Sequence, residues 1–148
     1  MAVLNLAINR GMASLDPTLH QLLIERFDRI SPGVSVLAAP VLEEVLFRLF
    51  CLSVIAVVVA QFVQDRRVVF WTALGVSALV FGVMHVLRPE PQNLELAWIY
   101  RTGVTLKSSV GGFLLGWIYW RWGLGYSILC HGVINGVHSL LEPLVFAH

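Results

Sequence analysis

The sequence predicts an all-α protein: a polytopic membrane bundle of about four transmembrane helices with an N-terminal amphipathic segment. Three observations predict it. Hydrophobic residues make up 57% of the 148 and charged residues 13%, against about 25% charged in a soluble domain. Mean hydropathy is +0.78. The apolar residues are gathered into long stretches divided by short polar joints. A chain of this size has too little interior to hide so much apolar surface from water, so lipid is the solvent that suits it. A formal net charge of +1 lacks the basic face of a nucleic-acid binder.

Each stretch approaches the roughly 20 residues that cross a bilayer. The first covers residues 41–63 and follows Pro40, a residue suited to the first turn of a helix. The second covers residues 68–87 and stops before Arg88-Pro89; the third covers 103–120 and the fourth 124–146. Residues 1–34 differ. Leu22, Leu23, Ile24 and Phe27 alternate there with Glu25, Arg26, Asp28 and Arg29, the pattern of a helix lying on a membrane or against the bundle. Ser31-Pro32-Gly33 reads as a turn. The expected division is therefore an amphipathic segment, 1–34, and a transmembrane core domain, 35–148. No basic region precedes the apolar residues 1–8, so no cleavable signal peptide is expected. Trp98, Tyr100, Trp117, Tyr119, Trp120, Trp122 and Tyr126 cluster near stretch ends, as an interfacial aromatic belt does. Cys51 and Cys130 lie in apolar stretches and form neither a disulfide framework nor a C-x-x-C metal site.

The informative residues are polar ones inside apolar stretches, where each charge costs about 3 kcal/mol on insertion scales. Glu44 and Arg48 are four apart, share a helix face and can pair. Glu43 sits about 100° around the helix from Glu44, which leaves it for other work. The alternative is that the stretch begins at the interface and all three charges are solvated. His85 stands four residues after Phe81 near the end of the second stretch; it is either an interfacial or core histidine or a proton-transfer group. His131, Asn135 and His138 recur at i, i+4 and i+7, one stripe on one face. Such a stripe lines a cavity or joins helices by hydrogen bonds. Gly112 and Gly116, and Gly132 and Gly136, have the G-x-x-x-G spacing that lets helices approach closely. Close helices would bring Glu43, His85, His131 and Asn135 into one pocket.

A carboxylate and a histidine flanking one water can share its deprotonation. The hydroxide needs an electrophile such as a peptide carbonyl, and the resulting oxyanion needs donors in a dry site. His131 and the Asn135 amide are suitable donors. Two histidines and a carboxylate also make a plausible zinc set, but H-E-x-x-H and thiolate pairs are absent from the sequence, and no cofactor is expected.

The di-glutamate with arginine (Glu43-Glu44-Val45-Leu46-Phe47-Arg48), Phe81-Gly82-Val83-Met84-His85 and His131-Gly132-Val133-Ile134-Asn135 resemble, in order, the motifs E-E-x-x-x-R, F-x-x-x-H and H-x-x-x-N. These are the motifs of the CPBP (Abi or CAAX-protease and bacteriocin-processing) intramembrane proteases, which include the Rce1-like prenyl-protein endopeptidases. The resemblance covers roughly residues 35–140 and extends to the glycine-rich run 111–116. It implies that Glu43 and His85 activate water, that His131 and Asn135 serve the oxyanion, and that Glu44 and Arg48 belong to the same site. Similar proteins have also been described as metallopeptidases. They usually carry additional membrane helices before the di-glutamate, where this chain has a short amphipathic stretch, so a partner or oligomer replacing them is one expectation. Leu49 stands where the family often has glycine.

The leading expectation is an endopeptidase in a bacterial or archaeal cell membrane, acting on a membrane-associated peptide or protein. The alternative is a non-catalytic immunity or regulatory protein of the same fold that binds a peptide or membrane partner. A proton pathway through Glu43 and His85 is a third.

Overall fold

In lipid a backbone segment has no water to satisfy its N–H and C=O groups, so apolar runs fold as helices, which satisfy them internally. The computed structural model describes residues 2–15, 33–87 and 97–146, and among these the chain is helical with no strand. Helix α1 is Ala2–Leu15. Helix α2 is one unbroken run made of Val34–Ala38, Ala39–Glu44, Val45–Leu52 and Ser53–Ala60. Helices α3, α4 and α5 are Arg66–Met84, Ala97–Trp122 and Leu124–Phe146. The expected amphipathic run 22–29 lies outside the described residues.

Helices α2 to α5 coincide with the four apolar stretches to within several residues at their ends. The shifts have local causes. Asp65 is extended and its Oδ1 accepts the Arg67 N–H at 2.8 Å, so α3 starts at Arg66, inside what reads as a polar joint. Gly123 alone separates α4 from α5; its φ of +92° is the left-handed conformation that glycine adopts without penalty. Its N–H bonds the Tyr119 carbonyl at 2.8 Å, closing α4. Among the described residues one helix, Arg66–Met84, is long and apolar enough to cross a membrane by length and composition.

Helix α2 departs from α geometry in two places. Val34–Ala38 and Val45–Leu52 are π-helical, and Ala39 N–H reaches back five residues to the Val34 carbonyl. Pro40 contributes to the first departure, because it has no N–H to offer the carbonyl four residues earlier. The wider turns have a geometric effect. Pro40, Glu44, Arg48 and Leu52 are all buried, at a strict four-residue spacing. An α-helix advances about 40° beyond a full turn every four residues, and π-helical widening removes that drift and keeps the four on one face.

The helices pack through small residues. A methyl on Gly82 of α3 would stand 2.5 Å from the Thr105 carbonyl oxygen of α4 and run into Ser109 Oγ. Gly112 and Gly116 of α4 back onto Ala78, Phe81 and Leu74 of α3, and Gly132 of α5 leaves room for the Val36 carbonyl of α2. Ser77 of α3 donates to the Phe47 carbonyl of α2 at 3.0 Å. Helix α1 seats Met12 beside Tyr100 and Val104, and its buried Asn9 accepts from Lys107 Nζ at 2.6 Å.

Polar side chains are gathered inside the bundle and large apolar ones on its outside. Asn9, Glu44, Arg48, Ser77, Ser127 and His131 are buried, while Phe62, Leu42 and Phe50 are 84%, 70% and 64% exposed. In water such a surface would be a large unpartnered apolar face.

The α3–α4 seam predicts opposite outcomes for two glycines. Gly82→Ala lowers stability in detergent by about 1–3 kcal/mol through overpacking. Gly75→Ala, with open space around its Cβ, raises it by about 1 kcal/mol through helix propensity. Unfolding of the two variants in SDS titrations checks the pair; equal behaviour contradicts the seam.

Candidate active site

The site is built around a carboxylate that solvent does not reach. Glu44 and Arg48 are both fully buried, and Arg48 Nε lies 3.1 Å from Glu44 Oε2, with Nη2 a longer 3.5 Å from Oε1. Neither charge is at a solvated interface. Two further donors reach the carboxylate from α5: Ser127 Oγ donates to Oε2, and His131 Nδ1 lies 2.9 Å from Oε1. An ionised carboxylate offers about four acceptor sites, and here each oxygen faces two donors. Burying ions costs several kcal/mol each unless such bonds replace the lost water. The Arg48 guanidinium carbon also stands 5.1 Å from the centre of the Phe81 ring, a cation–π contact.

Hydrogen bonding fixes which imidazole nitrogens look into the site. His85, at the C-terminal end of α3, has Nδ1 2.7 Å from the Phe81 carbonyl oxygen. A carbonyl only accepts, so Nδ1 carries the hydrogen and the neutral ring leaves Nε2 as an acceptor. By the same reasoning His131 gives its Nδ1–H to Glu44. Both Nε2 atoms then turn toward one oxygen of the other glutamate: Glu43 Oε2 lies 3.9 Å from His85 Nε2 and 3.8 Å from His131 Nε2. These separations exceed a direct hydrogen bond and suit a bridging water. The Glu43 and His85 side chains are 18% and 19% exposed where Glu44 is at 0%, so the two acids face different surroundings. Phe81 lines the floor, with Phe47, His85 and His131 rings at 4.9, 4.5 and 6.2 Å.

The family model for Rce1-like proteins, the type II CAAX prenyl endopeptidases, matches residues 29–137. The chain belongs to this family. No curated protein and no solved structure matches it. Rce1-like proteins are integral membrane proteins, and membership supports a membrane protease.

In this Rce1-like chain five of the six candidate residues, Glu43, Glu44, Arg48, His85 and His131, meet within one cluster. The sixth, Asn135, lies one turn beyond His131 on α5 and is partly buried. His138 continues the stripe. Among the described residues, no group of three or more His, Cys, Asp or Glu is arranged to hold a metal ion. Sequence reasoning missed Ser127, which sits four residues before His131 and therefore on the same face; that spacing was the available signal. It also missed the Phe81 carbonyl as the group that orients His85.

The charge pairing predicts a large stability effect. Arg48→Met leaves Glu44 buried without its cation and destabilises the fold by about 3–5 kcal/mol. Adding Glu44→Gln recovers part of the loss, measured by SDS-induced unfolding of the single and double variants; a single variant as stable as wild type contradicts the pairing.

Proposed function

We propose that this protein is an intramembrane endopeptidase that hydrolyses a peptide bond of a membrane-associated substrate with water activated by Glu43 and His85. The observation that carries the proposal is the placement of Glu43 Oε2 at 3.9 Å from His85 Nε2, so that one water seated beside the pair reaches both. In this reading α2 to α5 are the transmembrane helices and hold the site within the bilayer. Their apolar exteriors and family membership support it.

The water donates one hydrogen to Glu43 Oε2 and the other to Nε2 of His85. Glu43 removes its proton as the water oxygen bonds to the carbonyl carbon, and the carbonyl π electrons move onto oxygen. The oxyanion faces His131 and Asn135. His131 donates from Nε2 only when its ring carries both protons, because Nδ1–H is already committed to Glu44. Collapse of the intermediate re-forms the C=O bond and breaks the C–N bond, and the proton held at Glu43 passes to the leaving nitrogen. No serine or cysteine nucleophile is needed. Membership of the type II CAAX prenyl endopeptidases supports a substrate peptide at the bilayer surface, within reach of Glu43.

Purified protein in detergent, given a panel of peptides, cleaves at least one, and both Glu43→Gln and His85→Ala abolish turnover while the helical circular dichroism is retained. Asn135→Ala lowers kcat by about 10²–10³-fold, the usual effect of losing an oxyanion donor. Equal turnover of wild type and Glu43→Gln rejects the proposal.

A further inference from the structure

Ser127 is fully buried and stands where three helices meet. Its hydroxyl reaches Glu44 of α2, lies 3.0 Å from the Leu115 carbonyl oxygen of α4, and is carried by α5. The hydroxyl has one proton for two acceptors. The carboxylate is the stronger acceptor, and the Leu115 oxygen lies in a helix whose own ladder supplies an N–H four residues on. The proton therefore goes to Glu44 Oε2.

The consequence lies in how Glu44 is held. Ser127 and His131 are one turn apart on α5 and take opposite oxygens of the same carboxylate, Oε2 and Oε1. Arg48 reaches both oxygens from Glu44's own helix, at 3.1 Å on Oε2 and a longer 3.5 Å on Oε1, so it holds the carboxylate relative to α2 and not relative to α5. A donor from α5 on the second oxygen fixes the plane relative to His131. The direction of the Oε1 lone pairs then sets where the His131 Nδ1–H points, and so where Nε2 faces.

Resting on the hydrolytic reading of Glu43 and His85, we infer that Ser127 is a positioning residue for catalysis: its hydroxyl locks the Glu44 carboxylate so that His131 keeps Nδ1–H on Glu44 and presents Nε2 to the substrate side. Ser127 touches no reacting atom. It acts through Glu44 and then His131.

The test uses the full chain in detergent or liposomes. Ser127→Ala lowers kcat about ten- to a hundredfold, the equivalent of one hydrogen bond to a charged group, and leaves KM within about twofold. Ser127→Cys keeps the volume with a feeble donor and shows the same loss, so the test survives if the alanine variant unfolds. In a Glu44→Gln background, Ser127→Ala costs no further rate, since residues acting through one another are not additive. A readout independent of turnover is the ¹⁵N spectrum of His131 at a pH where the ring is neutral: wild type shows the Nδ1–H tautomer, and both Ser127 variants show a mixture. Folded variants with unchanged kcat and an unchanged His131 spectrum overturn the inference. So does a loss of stability with kcat intact, which would make Ser127 a helix tie only. If wild type cleaves no peptide, the hydrolytic reading fails, and the His131 spectrum alone decides whether Ser127 sets the tautomer.

Discussion

The architecture depends on one constraint: a carboxylate buried at 0% exposure has to find donors for both oxygens inside the protein. Glu44 meets it with Arg48 from its own helix and with Ser127 and His131 from α5. Those bonds tie α2 to α5 at a defined depth and rotation. Gly132 lets the two backbones come close enough, with the Val36 carbonyl of α2 where a side chain would otherwise stand. The π-helical turns of α2 keep Glu44 and Arg48 in register with Pro40 and Leu52, so the pair stays directed inward.

Two adjacent glutamates thereby acquire different properties. Glu44 is saturated with donors and has no capacity left for a substrate. Glu43, about 100° around the helix, faces two imidazole nitrogens across gaps that exceed hydrogen-bond length. The buried acid orders the histidine; the part-exposed one stands beside both imidazoles. The Phe81 turn does the equivalent for His85, since its carbonyl fixes the tautomer while its ring packs under Arg48 and both histidines.

The helical class and most of the site were legible because charged groups in apolar helices are expensive and therefore stand out. Glu43, Glu44, Arg48, His85 and His131 each break a hydrophobic run, and the four-residue spacing of Glu44 and Arg48 foretold their pairing. Ser127 gave no such signal: a hydroxyl in an apolar helix is common, and its role depends on α4 and α2 neighbours distant in sequence. The π-helical turns were hidden for a related reason. Pro40 read as the start of a helix, whereas it lies inside a longer one whose widened turns accommodate the missing N–H. The start of α3 was misplaced because Arg66 and Arg67 look like a joint, although Asp65 caps them into the helix. Packing against the bundle was one reading of residues 1–34, but its pattern lay at residues 22–29 and did not point to the docking of α1 through Asn9 and Met12.

Glu43 Oε2 lies 3.9 Å from His85 Nε2 and 3.8 Å from His131 Nε2, and the hydrolytic centre stands or falls with that arrangement. Rotational-echo double-resonance NMR in lipid, with the Glu43 carboxylate carbon and histidine Nε2 nitrogens labelled, measures it most directly. Dephasing of the carboxylate by both imidazoles is the expected result, with each coupling removed by substituting the corresponding histidine. A carboxylate that shows no coupling to either ring and exchanges freely with bulk water would contradict it.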